Sequence, residues 1–528
     1  MGFDSLMSPP LGGSVGDMFN ARHLSTALLW TVIVILVGVV FQKIVKAAIR
    51  PRFSRLRQLP GPQNNQFLVG QALRLLRTPG PNDLFLQWMR RWPEAPFIRC
   101  LSWLNSEMLL VNNLEACREV LQTNAYSFVK PAFFHTLVGE FLGVGLLFSV
   151  GDEHKRLRRI VAGPLSRPSV RRLMPVFVNE SNALNREIAD AIKERGHGEM
   201  EIETFFTRAS LNIIGVSLLG KELHRFRSPS SPLTFEQCYS NILAQPIAGQ
   251  LISFINPFIP LRWLPVKANL DFVRAKAALK TMMTELIEQR TNEVLAARGG
   301  QSDIMLSDDL LTRMIEASFG EDKRLSKQEL IDITMQVIAA GHETTASALT
   351  WITYALATHQ DIQNRLREEL SGIEVTNSAA KALDDLPYLN NVVREALRVY
   401  SPTLMAPWEA GEDMVIAGVE IPKGTMIQTV PAMVQLNPNI WGDDAEAFVP
   451  ERWDTLTGDA SSPFSIEVFL NGPRMCPGKA LALLEIKVLL VAMIKEFQLE
   501  MVDQGIEVRN PSLTLKPKDG LHVRVRRV

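Results

Sequence analysis

Residues 469–482 read FLNGPRMCPGKALA, and they place one of the four cysteines of the chain, Cys476, between an arginine and a Pro-Gly pair. A free cysteine is usually a small buried apolar residue, which would not need these neighbours. Pro477 is followed by an apolar run that is typical of a helix, and proline is common at the first helical position. We therefore predict that Cys476 lies at a helix N-terminus, where the positive end of the helix dipole stabilises a thiolate.

The composition of the chain restricts the class of protein. The 528 residues are 46% hydrophobic and 21% charged, which is enough for a large core and unlike a disordered chain. Basic and acidic residues number 56 each, so nucleic acid, which needs a basic surplus, is not expected as the main partner. The cysteines show no CxxC spacing, which argues against a disulfide framework or a zinc site.

Residues 24–41 form an uncharged apolar run near the N-terminus. A helix of this length spans about 27 Å, close to the thickness of the hydrocarbon core of a membrane. The basic residues after it place the body of the chain in the cytosol by the positive-inside rule. These residues are Lys43, Lys46, Arg50, Arg52, Arg55 and Arg57. A cleaved signal peptide is the alternative, but the run is long, starts late and lacks a small-residue cleavage site.

The sequence thus divides into four segments. We predict a lumenal segment (1–23), a transmembrane helix (24–41), a basic and Pro-rich hinge (42–62) and one catalytic domain (63–528). The pattern of the catalytic domain is mostly helical, with short β-like pieces at 414–421 and 521–528.

A long helix with a polar middle is predicted from Ser326 to about His359. Ser326 and Glu329 have the spacing of a capping box, and apolar residues follow at helical intervals. The middle of this helix reads AGHETT (340–345). A glycine inside a helix costs about 1 kcal/mol relative to alanine, and buried polar groups need partners. Because the flanking runs are too apolar for a solvated surface turn, we interpret this stretch as a place where a ligand or water meets the helix.

Two further features carry charge in apolar surroundings. Glu343 and Thr344 follow the helix glycine Gly341, and a carboxylate beside a hydroxyl suits proton delivery. Glu395 and Arg398 are spaced i,i+3 on a second predicted helix, a weak motif when taken alone.

The motif Phe469-x-x-Gly472-x-Arg474-x-Cys476-x-Gly478 resembles the haem-binding signature of the cytochrome P450 family. Three other blocks resemble the same family in the expected order: 340–345, the Glu395–Arg398 pair, and 448–453 with Arg452. The resemblance covers the chain after residue 60. The stretches 151–159 and 440–454 are most similar to monooxygenases of filamentous fungi. The resemblance implies a mainly α fold with small β-sheets around a haem b group, in the microsomal type of the family.

The resemblance also implies roles for individual residues. Cys476 would be the axial ligand of the haem iron, with Phe469 shielding the sulfur. The other predicted haem-binding residues are Arg474, Gly472, Gly478, His154, Arg158 and Gly341. Thr344 and Glu343 would be catalytic, and Glu395, Arg398 and Arg452 would form a buried structural triad. Trp408 stands where many relatives carry an arginine that reaches a haem propionate.

The implied activity is a monooxygenase that inserts one oxygen atom of O2 into a lipophilic small molecule, as a step in fungal specialised metabolism. Electrons would come from NADPH through NADPH-cytochrome P450 reductase, steered by Lys155, Arg156 and Arg159, with cytochrome b5 as a second donor. The protein would span the endoplasmic reticulum membrane once and face the cytosol. Alternatives are a fatty-acid or alkane hydroxylase, a family member that rearranges peroxides without electron input, and a non-catalytic haem-binding membrane protein.

By the same resemblance, the substrate pocket would be lined by mostly apolar segments. These are 133–135, 238–262, the long helix near Gln336, Val337 and Ala340, then 401–406 and the turn near Thr514.

Overall fold

Helices dominate the computed structural model, which describes residues 30–528 except 32, 36, 40, 46, 197, 244, 258, 300–307, 320–324 and 504. The predicted lumenal segment, 1–23, lies outside the described residues, as do 24–29, 32, 36 and 40 of the predicted membrane span. The described residues between 30 and 49 are helical. Among the helices that are described, none has both the length and the apolar character needed to cross a membrane.

The helices of the described body are numbered here in chain order. They are α1 (Ala72–Arg77), α2 (Asp83–Arg91), α3 (Leu114–Arg118), α4 (Ala132–Leu142), α5 (Gly151–Ala162), α6 (Arg167–Arg171), α7 (Met174–Arg195), α8 (Glu203–Leu219), α9 (Phe235–Leu243), α10 (Ile247–Ile255), α11 (Lys267–Arg298), α12 (Leu310–Ala317), α13 (Lys327–Thr358), α14 (Gln360–Glu369), α15 (Ala380–Asp384), α16 (Pro387–Val399), α17 (Pro431–Gln435), α18 (Pro438–Trp441) and α19 (Lys479–Glu496).

Three small sheets complete the fold. The strands are β1 (Phe97–Leu101), β2 (Glu107–Val111), β3 (Phe128–Val129), β4 (Glu199–Glu201), β5 (Ala406–Ala410), β6 (Met414–Ile416), β7 (Val419–Ile421), β8 (Met426–Thr429), β9 (Phe497–Met501) and β10 (His522–Arg527). Their orders are β1-β2-β8-β5-β3, β4-β10-β9 and β6-β7, and only the β2–β8 pairing is parallel.

Both predicted β pieces are confirmed. The first is the β6–β7 hairpin, whose two turn residues, Ala417 and Gly418, have φ values of 45° and 75°. Positive φ at both positions matches the twist of a two-residue hairpin turn. The second is β10, the middle strand of its sheet, which pairs with both β4 and β9.

The long predicted helix is α13, and its capping box is confirmed. Ser326 is the N-cap, its side chain accepts from the Glu329 N–H, and the Glu329 carboxylate accepts from the Ser326 N–H. The helix is 32 residues long, about 48 Å. The backbone stays helical through 340–345, so only the side chains change character there. α13 packs on α8 and runs through the largest hydrophobic core.

A buried charge cluster links α16 to the turn at Pro450–Asp454. The Glu395 carboxylate accepts from Arg398 Nε at 2.8 Å, Arg398 Nη2 at 2.7 Å and Arg452 Nε at 3.1 Å. Trp453 Nε1 and the Val449 N–H also donate to it, each at 3.0 Å. Arg398 and Glu395 have no exposed side-chain surface, and further Arg398 N–H groups donate to backbone carbonyls. The predicted triad is thus assembled and well supplied with hydrogen bonds, as a buried ion pair requires.

Two other buried carboxyl groups have raised pKa values. Burial raises the pKa of Glu467 to about 7 and that of Glu485, on α19, to about 8. Both side chains are almost fully buried and neither forms an ion pair among the described residues. Both groups therefore keep their proton to a higher pH than an exposed glutamate does, and Glu485 does so more than Glu467.

We predict that Glu485→Gln flattens the dependence of stability on pH. Between pH 4.5 and about 8 the folded protein keeps a proton on Glu485 that the unfolded chain releases, so the free energy of unfolding falls as pH rises, by up to about 1.4 kcal/mol per pH unit. The variant should gain stability relative to the native protein from pH 5 to pH 8 in denaturant melts. The exposed Glu412→Gln is the control. Parallel curves for native protein and Glu485→Gln would contradict the assignment.

Candidate active site

The Cys476 loop presents a thiol beside a helix start. The Cys476 N–H donates to the Phe469 carbonyl at 2.7 Å, which closes the loop. Burial raises the pKa of Cys476, while the backbone N–H groups of Gly478 and Lys479 and the charge of Arg158 lower it. The net shift is upward, so the helix dipole alone does not ionise the sulfur. A bound metal cation deprotonates a coordinating thiol outright, and the loop adds to that effect.

The predicted start of this helix is wrong by two residues. α19 begins at Lys479 with Gly478 as its N-cap, so Pro477 precedes the helix. A Cβ on Gly478 would lie 3.8 Å from Cys476 Sγ, which places this glycine next to the sulfur. The first N–H groups of α19 still reach the thiol, because the turn at 477–478 folds them back towards it.

Gly472 gives the loop its shape. Its φ is +63°, and a Cβ there would lie 2.2 Å from the Leu121 carbonyl oxygen, so no other residue fits without rearrangement. Phe469 is partly buried against the main core, with Lys479 Nζ 5.6 Å from its ring centroid. Arg474 is fixed by a 2.7 Å hydrogen bond from Nη1 to the Ser149 carbonyl just before α5.

Four basic side chains converge beside this loop: Arg474, Arg158, His154 and Lys130. Arg158 donates to the Met475 carbonyl, and His154 Nδ1 lies 3.2 Å from the Tyr126 hydroxyl. The Arg474 guanidinium lies 5.4 Å from the ring centroid of the same tyrosine.

This basic cluster has no counter-charge. In the described part of the chain, none of its four members has a carboxylate within ion-pair distance. Burial and the Arg474 charge lower the pKa of Lys130 to about 7. Burial, Arg474 and Arg158 lower the pKa of His154 to about 4. Arg474 Nε is buried and has no hydrogen-bond partner among the residues that the structure describes. The cluster is therefore built for anionic oxygens that come from outside the chain.

Lys130 is the functional residue that the sequence interpretation missed. It follows β3 and points at Trp408 on β5, with Nζ 3.4 Å from the ring centroid and 3.1 Å from the Pro407 carbonyl oxygen. Trp408 itself is buried and donates weakly to Thr429 Oγ1 at 3.4 Å. Trp408 thus supports a lysine that follows the neighbouring strand β3, by a cation–π contact. The only local sign of this lysine in the sequence was that a Lys-Pro pair, Lys130 and Pro131, follows a strand.

The α13 side of the site has one open face. Ala340 is exposed within a helix that is otherwise largely buried, and Val337, Gly341 and Thr344 on the same face are partly exposed. Thr344 Oγ1 donates to the Ala340 carbonyl at 2.7 Å, so its lone pairs are left to accept a hydrogen bond. A Cβ on Gly341 would lie 3.0 Å from Ile214 Cδ1 on α8, so a larger residue here would crowd the packing of α13 on α8. The predicted contact of Gly341 with haem stays a prediction.

Glu343 is paired in the structure. Its Oε2 lies 2.7 Å from Lys516 Nζ and its Oε1 lies 3.6 Å from His342 Nε2. Burial raises the pKa of Glu343, but His342 and Lys516 outweigh burial and bring it to about 2. The predicted proton donor is therefore an ionised carboxylate in this arrangement, and its lysine partner, 173 positions further along the chain, was not predicted.

Some predicted pocket residues have structural partners. Gln336 holds the segment between α4 and α5, accepting from the Leu147 N–H at 3.1 Å and donating to the Gly143 carbonyl at 3.2 Å. Thr514 forms a β-bridge with Thr403, so the two predicted pocket segments that contain them are neighbours.

Comparison with known proteins agrees with this geometry. The family model described as cytochrome P450 matches residues 60–524. The chain belongs to the cytochrome P450 family. Cytochrome P450 monooxygenase sphH of Aspergillus fumigatus is 32% identical over 93% of this chain and 92% of its own length. Cytochrome P450 monooxygenases FUM15 of Gibberella moniliformis and ptmK of Penicillium ochrochloron are 29% and 28% identical over 90% and 93% of this chain, and over 89% and 98% of their own lengths. The protein is a monooxygenase.

The residues present fit the haem of this family. Cys476 would supply a thiolate ligand, and the four basic side chains, with the buried Arg474 Nε, would suit two propionates. Haem with a thiolate ligand activates dioxygen, because the sulfur donates electron density that favours O–O cleavage. The chain's own residues would ligate this group and pair with its carboxylates.

We predict that Lys130→Met weakens haem retention although the sequence motif is intact. Loss of one charge-assisted hydrogen bond should speed haem transfer to a haem-free acceptor globin roughly tenfold. Lys423→Met, at an exposed position, is the matched control and should behave like the native protein. A transfer rate for Lys130→Met equal to that of the control would show that Lys130 does not contact the propionates.

Proposed function

We propose that this enzyme uses electrons from NADPH to insert one oxygen atom of O2 into a lipophilic small molecule, in a pathway of fungal specialised metabolism. The observation that carries this proposal is the combination of two features in one domain. One is the Cys476 loop with its basic cluster, which has no carboxylate partner among the described residues. The other is the open face of α13, which bears Thr344. The named relatives from several filamentous fungi support the monooxygenase class. The mostly apolar segments around the open face favour a lipophilic substrate.

Each residue then has a defined task. Cys476 ligates the iron, while Arg474, Arg158, His154 and Lys130 hold the propionates. Thr344 accepts a hydrogen bond from a water and so orients it over the site. Glu343 supplies protons once its ion pair opens.

A carbon-monoxide difference spectrum of the reduced protein tests the core of the proposal. The native protein should show the band of a thiolate-ligated haem, and Cys476→His should abolish it. Cys100→Ala, which changes a buried cysteine on β1, should keep it. Absence of the band in haem-loaded native protein would refute the ligand assignment.

Oxygen and NADPH consumption with a reductase separates this proposal from a peroxide-rearranging enzyme, which needs neither. Comparison of the metabolites of a strain with and without the gene would then separate specialised metabolism from housekeeping fatty-acid or alkane hydroxylation. Because the chain belongs with monooxygenases, we set aside the non-catalytic alternative.

The structure changes the expected reductase surface. Lys155 is paired with Asp152 at 2.8 Å, and Arg156 with Glu153 at 2.7 Å and with Glu329. These two residues are therefore engaged within the chain, whereas the exposed Arg159 donates to the Lys155 carbonyl and stays a candidate from the first prediction.

Three other exposed cations surround the Cys476 loop: Arg167 on α6, Arg394 on α16 and Lys479. None of them has a carboxylate within ion-pair distance in the described part of the chain. Burial and then the charges of Arg167 and Arg394 lower the pKa of Lys479, which shows that the three lie close together. We therefore place NADPH-cytochrome P450 reductase, and cytochrome b5 as a second donor, on this surface.

We predict that Arg167→Gln and Arg394→Gln each raise the reductase concentration needed for half-maximal turnover by severalfold, while substrate binding stays unchanged. The cause is a weaker electrostatic attraction to an acidic partner, so the difference should shrink at high salt. Lys193→Gln, an exposed change on α7, is the control. If Arg156→Gln has the larger effect at constant stability, the original assignment to α5 is correct.

A membrane location is part of the proposal. We place the protein in the endoplasmic reticulum membrane, anchored by 24–41, with the catalytic domain in the cytosol. The uncharged run and the basic residues after it support this. An exposed apolar group on and after α10 is consistent with contact to a lipid surface; it includes Leu251, Ile259, Trp263 and Val266.

A further inference from the structure

Lys516 lies between two carboxylates near the open face of α13. Its Nζ is 2.7 Å from Glu343 Oε2 and 3.4 Å from Glu203 Oε1. The three side chains are only 15–24% exposed, so this is a sheltered cluster and not a surface pair. The ammonium group, which has three N–H donors, thus contacts two carboxylates at once, and the contact with Glu343 is the shorter of the two.

Hydrogen bonds fix the backbone of Leu515, the residue before this lysine, while the lysine side chain keeps its rotatable bonds. The Leu515 carbonyl accepts from Ser347 Oγ at 2.6 Å and Trp351 Nε1 at 2.8 Å, and the Leu515 N–H donates to the Pro402 carbonyl at 3.0 Å. Glu203 begins α8, where its N–H donates to Glu201 Oε1 at 2.7 Å. A four-carbon side chain on a fixed backbone can move between two acceptors without a larger rearrangement.

The charged and titratable groups that face Glu343 come from four elements. His342 is on α13, Lys516 is on the loop before β10, and Glu203 is on α8. Tyr239 on α9 packs its ring against the His342 ring at 4.9 Å, and its buried hydroxyl has no hydrogen-bond partner in the described part of the chain. Arg509 and Glu201 lie beside Glu203.

Because of these groups, the pKa values of Glu343 and Glu203 change in opposite directions when Lys516 moves. Burial alone raises the pKa of Glu343, and the contacts of His342 and Lys516 reverse that shift. Burial also raises the pKa of Glu203, and Lys516 only partly offsets it. Moving the ammonium towards Glu203 thus leaves Glu343 as a buried carboxylate that binds a proton more readily.

We propose that Lys516 is a positioning residue that switches proton supply to Thr344 by moving between Glu343 and Glu203. While it contacts Glu343, that carboxylate stays ionised. When it moves to Glu203, Glu343 takes a proton from a hydronium ion, so one O–H bond breaks in water and one forms on the carboxyl group. Glu343 then releases this proton to the water that hydrogen-bonds Thr344 Oγ1. The inference rests on the monooxygenase role, since that reaction consumes protons.

Two variants of the haem-loaded, full-length protein push the switch in opposite directions. Glu203→Gln leaves Lys516 only Glu343 to pair with, so proton supply should fall and the share of NADPH that ends as released hydrogen peroxide should rise severalfold. Lys516→Met removes the ammonium beside Glu343, so a protonated carboxyl band beyond those of Glu467 and Glu485 should appear in the infrared difference spectrum against native protein at neutral pH and be absent from Lys516→Met/Glu343→Gln. In Lys516→Met, product yield per NADPH should also become dependent on pH between pH 6 and pH 8.

Lys518→Met is the matched control, because Lys518 is on the same loop but pairs with the exposed Glu507. The switch is refuted if Lys516→Met shows no carboxyl band, or if Glu203→Gln releases no more peroxide than Lys518→Met. The infrared measurement needs neither reductase nor substrate. If native protein fails to consume NADPH, the proposed electron source is wrong; if it does and the variants match the control, only the switch is wrong.

Discussion

The constraint on which the site depends is the positive charge of the half-buried Arg474, Arg158 and Lys130, which no carboxylate matches within ion-pair distance among the described residues. A protein interior tolerates such groups only when anions arrive to pair with them. Arg474, Arg158, His154 and Lys130 meet beside the Cys476 loop, and burial and mutual repulsion already lower the pKa of Lys130 and His154. Haem supplies two carboxylates and a cationic iron, so one group satisfies the basic cluster and the sulfur together.

The Glu395 cluster differs from the basic cluster in that its opposite charges are paired within the chain. There, a carboxylate with no exposed surface accepts five hydrogen bonds, and its two arginines also bind backbone carbonyls or Asp444. Removing one member of such a cluster leaves an uncompensated buried charge, which typically costs about 3–5 kcal/mol. The Glu395 cluster has its carboxylate within the chain, whereas the basic cluster at the Cys476 loop would gain its carboxylates from haem.

Local patterns predicted local structure well. The capping box at Ser326, the β6–β7 hairpin and the Gly472 turn each follow from a few adjacent residues. The helix start at Pro477 was misplaced because the turn before α19 takes up two more residues than the motif suggests. Lys130 and Lys516 escaped notice for a different reason. Lys130 meets its carbonyl partner 277 residues away, and no pattern in one sequence without an alignment connects positions so far apart.

The three-stranded sheet has a consequence for chemistry that takes place elsewhere. Glu203 follows β4 by two residues, and Lys516 shortly precedes β10, which pairs with β4 through Met200 and Val523. A slip of two residues along this ladder would displace one strand relative to the other by about 6.6 Å, more than enough to separate the lysine from the glutamate. The register of a small peripheral sheet thus sets the spacing of two charged groups beside α13. Since β4 and β10 are far apart in sequence, closing the loop between them is slow, and this corner of the active site is expected to be among the last to assemble as the protein folds.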